Sequence, residues 1–81
     1  MNLRSFQAFV EVVRQGGFSA AAKTINATQS TVSKAVRQLE DELGLVLLDR
    51  EISPSRLTTA GEIVFRRAIA MLAEKDDMLA E

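Results

Sequence analysis

The chain has no cysteine and no histidine. Without cysteine there is no disulfide framework and no thiolate metal site, and a reducing compartment is permitted. Without histidine, zinc sites and imidazole acid–base catalysis fall away. Only carboxylate or lysine chemistry remains, and no nucleophile stands beside a base in a recognisable arrangement, so the chain is not expected to be an enzyme and no metal or cofactor is expected in this domain. No apolar run reaches the roughly 18–20 residues that span a bilayer, and the N-terminal MNLRSFQAF lacks the apolar core of a secretion signal. A soluble, cytoplasmic protein with no membrane partner is expected. Repeats, low-complexity tracts and flexible linkers are also missing. Eighty-one residues suit one small domain, near the size at which a single core is just sufficient, and 47% apolar content is enough to fold it.

Acidic charge is missing from one long stretch. The formal net charge of −1 argues against a nucleic-acid partner, because phosphate binding is driven by cations. Yet no acidic residue lies between Glu11 and Glu40, where Arg14, Lys23, Lys34 and Arg37 are found. The carboxylates collect in Glu40-Asp41-Glu42 and in the tail from Glu74 to Glu81. Local charge, not net charge, meets a ligand.

What is present is a succession of helical patterns. Asn2 is positioned to cap a first helix whose stripe is Leu3, Phe6, Phe9, Val10 and Val13, ended by Gly16-Gly17. Its aromatic residues read as core. A second helix starts at Phe18-Ser19, with Ser19 as the expected cap, and runs through Ala20-Ala21-Ala22, a surface suited to a close helix crossing, to an apolar anchor at Ile25. Asn26-Ala27-Thr28 turns the chain; Asn26 suits a left-handed conformation and Thr28 a cap.

The third helix, about 28–43, has two faces. Val32, Val36, Leu39 and Leu43 form an apolar stripe, while Ser30, Ser33, Lys34 and Arg37 present hydroxyls and cations opposite. Such a helix is either an ordinary surface helix or one shaped for the major groove of DNA, and the short turn before it favours a helix-turn-helix. Gly44 ends it. Glu40, Asp41 and Glu42 read as a solvated end facing away from phosphate, with a paired-carboxylate catalytic site as the weaker alternative.

Leu45–Arg50 and Arg56-Leu57-Thr58, separated by a turn containing Pro54, are expected to pair as a two-stranded wing. Arg50 and Arg56 flank it, placed either for phosphate and the adjacent minor groove or for salt bridges to Asp49 or Glu51. Thr59-Ala60-Gly61-Glu62 matches a capping box opening the last helix. That helix carries two apolar rows, Phe65, Ile69, Leu72 and Leu79 beside Val64, Ala68, Met71 and Met78. So wide a face calls for a second copy of the chain, or folds back on its own core. The chain stops while still helical, which reads as part of a longer protein.

Together these residues resemble the N-terminal DNA-binding domain of a LysR-type transcriptional regulator over essentially the whole chain. The matching positions are Phe9, Gly17-Phe18-Ser19, Ala21-Ala22, Thr28-Gln29, Ser33, Val36, Leu39-Glu40, Leu43-Gly44, Leu47-Leu48, Arg50, Leu57-Thr58 and Ala60-Gly61. The resemblance implies a mainly α winged helix-turn-helix over 1–57 and a dimerising linker helix over 58–81. A C-terminal domain binding a small-molecule effector is absent from this chain. The implied partner is double-stranded DNA carrying an interrupted palindrome, bound by a homodimer through the last helix or by a tetramer of the full-length bacterial protein. Carried over, DNA contacts fall on Thr28, Gln29, Ser30, Ser33, Lys34 and Arg50, with Arg37 and Arg56 added from their charge. Gln29 suits adenine edges and Lys34 a guanine or a phosphate. Two positions depart from the family: Ser30 stands where proline is common, and Ser53 where the wing usually has a second arginine, a role Arg56 could take over. The competing reading, motivated by the acidic net charge, is a winged-helix module that binds protein and no nucleic acid.

Overall fold

The computed structural model describes residues 1–52 and 56–81. The Asn2 carboxamide oxygen accepts from the Ser5 amide at 2.9 Å, opening α1 (Leu3–Gln15), and Gly16, at φ +82°, closes it with its amide donating to the Val12 carbonyl. Phe9 and Val10 are sunk into the core, joined by Ala8 and Val12, whereas Leu3, at the very start of the helix, stays largely exposed. Helix α2 (Phe18–Thr24) begins before the expected cap: the Gly17 carbonyl already accepts from the Ala21 amide, so Ser19 lies inside the first turn, exposed. Asn26 takes the left-handed conformation at φ +56°. Helix α3 (Gln29–Leu43) is capped by Thr28, whose hydroxyl accepts from the Thr31 amide at 3.1 Å, and ends at Gly44 in the left-handed region.

The apolar stripe of α3 makes the centre of the molecule. Val32, Val36 and Leu39 are fully buried against Phe9, Val12, Ala21, Ala22, Leu47 and Leu48. Ala21 and Ala22 let α2 approach closely, and each buried valine or leucine contributes about 1.5–3 kcal/mol of transfer free energy.

The wing is shorter than the sequence suggests. Strand β1 (Leu48–Asp49) pairs antiparallel with β2 (Arg56–Leu57), in the register Leu48 to Leu57 and Asp49 to Arg56. Residues 45–47 are not part of the strand; the Leu47 and Leu48 amides donate to the Glu40 carboxylate at 2.8 and 3.3 Å, while the Leu47 carbonyl accepts from the Thr58 amide. Position Ser53 lies outside the described residues. Helix α4 (Thr59–Ala80) is capped by Thr58, one residue earlier than the expected box: its hydroxyl accepts from the Gly61 amide at 2.9 Å while reaching the carbonyls of Val46 and Leu47. Gly61 passes so close to Leu47 that a β-carbon there would be 2.9 Å from the Leu47 carbonyl carbon and closer still to its oxygen.

The apolar face of α4 divides along its length. Phe65 sets its ring edge against Phe9 with centroids 6.4 Å apart, Val64 packs beside it, and Ala68 is fully buried. These three of the eight expected interface residues are therefore drawn onto the chain's own core, and Ala68 has no surface left for a partner. Twenty-two helical residues span about 33 Å, and the core beneath them ends first. Met71, Met78 and Leu79 are consequently exposed, with Ile69 and Leu72 half-buried. No helix among the described residues is long and apolar enough to cross a membrane.

Candidate nucleic-acid interface

The N-terminal half of α3 projects its polar face into solvent. Thr28, Gln29, Ser30, Lys34 and Arg37 are exposed and Ser33 is half-buried. Their common orientation follows from the stripe behind them: with Val32, Val36 and Leu39 fixed inward, the helical period turns Ser30, Ser33, Lys34 and Arg37 outward. The amides of the first turn point out of the N-terminal end. Thr28 satisfies the one on Thr31, and those on Gln29 and Ser30 have no acceptor within the helix, which suits them to an anion.

Charge on this face is uncompensated. Among the described residues the ion pairs are the N-terminal ammonium with Glu42, Arg14 with Glu11, Arg50 with Glu40, and Lys75 with Asp76. Lys23, Lys34, Arg37 and Arg56 belong to none of them. Arg56 is exposed on β2, opposite Asp49, whose carboxylate accepts instead from the Glu51 amide at 3.1 Å. A surface of short hydroxyls, one amide and unpaired cations on a protruding helix, flanked by a wing, can hydrogen-bond base edges and neutralise phosphates together.

Two residues stand elsewhere than the sequence suggested. Arg50, expected at the DNA face or paired with Asp49 or Glu51, turns inward: its Nη2 lies 3.5 Å from Glu40 and its guanidinium 5.1 Å from the centre of the Phe18 ring. Burial lowers its pKa; Glu40 opposes that shift and Arg37 adds to it, and the group stays protonated at any physiological pH. Glu40, expected in a solvated acidic end, is drawn into the same contact, because the wing's amides need an acceptor; Asp41 and Glu42 are exposed as expected. Thr31 and Gln38 share the exposed surface and were not foreseen, although helical spacing from Lys34 would have found both.

With this geometry in place, residues 3–62 match the family model of the bacterial regulatory helix-turn-helix proteins of the lysR type. The chain belongs to the LysR family. Its relatives are transcriptional regulators, not enzymes. It is 44% identical over all 81 residues to the probable regulator LrrA of Synechococcus elongatus, covering 28% of that protein. It is also 40% identical over 80 residues, 99% of the chain, to the probable cat1 operon transcriptional activator of Acinetobacter lwoffii, covering 26% of it. The chain thus spans about a quarter of the length of these LysR relatives. Among solved structures, the BenM DNA-binding domain in complex with catB site 1 DNA superposes with a TM-score of 0.95 at 35% identity, over 99% of this chain and 86% of that one. Full-length BenM superposes at 0.93 with the same identity, over 99% of this chain and 26% of that one. The winged helix-turn-helix is therefore the LysR DNA-binding domain.

Proposed function

We propose that the chain is the sequence-reading and dimerising part of a cytoplasmic LysR-type regulator, binding an interrupted palindrome as a homodimer with α3 in the major groove. The observation that carries this is the exposed, carboxylate-free surface of α3 from Thr28 to Arg37, with Lys34 and Arg37 unpaired by any described residue. Gln29 offers an amide fork to adenine, Ser30 and Ser33 offer hydroxyls, and Lys34 serves a guanine or a phosphate. Arg37 and Arg56 meet the backbone on either side. The BenM domain bound to catB site 1 DNA supports the assignment by its close superposition.

The dimer rests on the part of α4 that has outrun its core. Ile69, Met71, Leu72, Met78 and Leu79 form the surface left over, and Leu3, Met71 and Met78 line a groove against it with Glu74 and Lys75. A second copy covers such a surface isologously. A tetramer of the longer protein, and a small-molecule effector bound by the region beyond this domain, complete the proposal.

Fluorescence anisotropy with a mixed-sequence duplex at low salt tests the DNA reading directly. Measurable association that weakens with added salt is expected; its absence at micromolar protein would overturn the assignment and favour a protein-binding winged helix.

A further inference from the structure

Glu40 lies three residues after Arg37, within reach of it on an ordinary helix surface. It does not pair there. One of its oxygens accepts from the Leu47 amide at 2.8 Å and the Leu48 amide at 3.3 Å, and the other faces Arg50 Nη2 at 3.5 Å. The Arg50 guanidinium is in turn laid over Phe18, the first residue of α2; its Nε and Nη2 are closed off from solvent and make no hydrogen bond, so Nη2 meets Glu40 by charge alone, while the side chain as a whole stays 22% exposed. One carboxylate thus joins three elements: α3, on which it sits, the start of the wing, and α2 through the arginine. A guanidinium that grips phosphate with two parallel N–H bonds must offer an N–H fork outward, and the Nε–Nη2 edge of this one is turned in.

We infer that Glu40 is a positioning residue of the DNA interface and that Arg50 acts through it rather than by touching DNA, the two together fixing the wing against the recognition helix and leaving Arg37 free for phosphate. This deepens the DNA-binding reading and rests on it. The geometry gives each partner a reason to be where it is. The two wing amides and the guanidinium neutralise a carboxylate that would otherwise stand beside the phosphate-facing surface. Because Glu40 is occupied, Arg37 has no described carboxylate partner although Glu40 and Asp41 are one turn away. Arg37 and Arg50, two like charges on the same flank of α3, are kept apart in function: one is held in, the other projects.

The test compares the 81-residue chain with Glu40→Gln, Arg50→Gln, Arg50→Lys and Lys34→Ala, all confirmed folded by far-UV circular dichroism. Dissociation constants are measured by anisotropy across a salt series on two duplexes, one of mixed sequence and one selected by the chain from a random-sequence library. A positioning role predicts that Arg50→Gln and Glu40→Gln lose about tenfold in affinity for the selected duplex and under about threefold for the mixed one, with the log–log salt slope unchanged. Arg50→Lys, which restores the charge facing Glu40, recovers most of the selectivity. Lys34→Ala supplies the contrast, flattening the slope by about one unit. A slope lowered by about one in Arg50→Gln would make Arg50 a phosphate contact and overturn the inference. So would Glu40→Gln tightening both duplexes equally, which would reduce Glu40 to a repelled charge. If Arg50→Gln does not fold, the selectivity and slope of Glu40→Gln decide alone, since glutamine keeps an acceptor for the Leu47 amide. Failure of the unsubstituted chain to bind either duplex would overturn the DNA reading itself; a changed slope in a chain that binds overturns only this one.

Discussion

Helices α3 and α4 both carry apolar residues at helical spacing, in a narrow stripe on α3 and a broader face on α4, and these meet different fates. In α3 the stripe is closed within the chain: Val32, Val36 and Leu39 have no exposed surface. In α4 it is closed only as far as Ala68, and beyond that Met71, Met78 and Leu79 are 38%, 64% and 72% exposed. The difference lies in what stands beneath. Helices α1 and α2 and the start of the wing surround α3, whereas α4 rests on the wing only at its first turn and otherwise on α1, and its last turns run beyond the core. An apolar stripe specifies burial but not by which molecule.

The comparison is broken most severely at Leu39. Leu39→Ala removes a fully buried side chain where three elements meet and is expected to destabilise the domain by about 2–5 kcal/mol, read as a lowered urea midpoint with unchanged slope. Leu72→Glu, the matching change on α4, should leave helix content intact and convert dimers to monomers in sedimentation, weakening binding to a palindromic duplex through lost avidity by about a hundredfold. A chain already monomeric at high concentration before substitution would remove the proposed interface. Gly61→Ala sharpens the contrast at the joint between the two regions. Its β-carbon meets the Leu47 backbone, and thermal unfolding should report a loss of about 1–3 kcal/mol. The smallest effect on stability is expected from the outer face of α3. Lys34→Ala and Arg37→Ala should leave the melting temperature within about 4 °C, in keeping with the near-neutral effect of exposed substitutions, while each flattens the salt dependence of DNA binding by about one unit of slope. Unchanged affinity in both would refute the assigned surface.

Much of this was legible because it rests on local chemistry. Asn2, Thr28, Gly16, Gly44 and Asn26 each do what their side chain or its absence allows, and the period of Val32, Val36 and Leu39 by itself places Lys34 and Arg37 on the outer face. The misplaced features were decided by contacts distant in sequence. Ser19 lost the cap to Gly17 and Thr59 to Thr58, because the helix starts are set by where the preceding segment packs: Thr58 is held by the carbonyls of Val46 and Leu47, eleven or more residues away. Glu40 and Arg50 look like surface charges in a linear reading. Only the fold brings the wing's amides and Phe18 to them. Helical period likewise does not say where the core under α4 ends, so in sequence Val64, Phe65 and Ala68 look the same as residues that remain outside.

The Thr58–Leu47 junction has a mechanical meaning. The Thr58 amide donates to the Leu47 carbonyl at 2.9 Å, its hydroxyl ties the same segment to the first turn of α4, and Gly61 leaves no gap between them. These contacts brace the joint from both sides. In a dimer joined through α4, the helix acts as a lever arm welded to the wing and, through Glu40, to the recognition helix. The distance and pitch between two DNA half-sites would then be dictated by how the two α4 rods lie on each other. Any change in how those rods lie would reach the DNA as a change in spacing rather than being absorbed on the way.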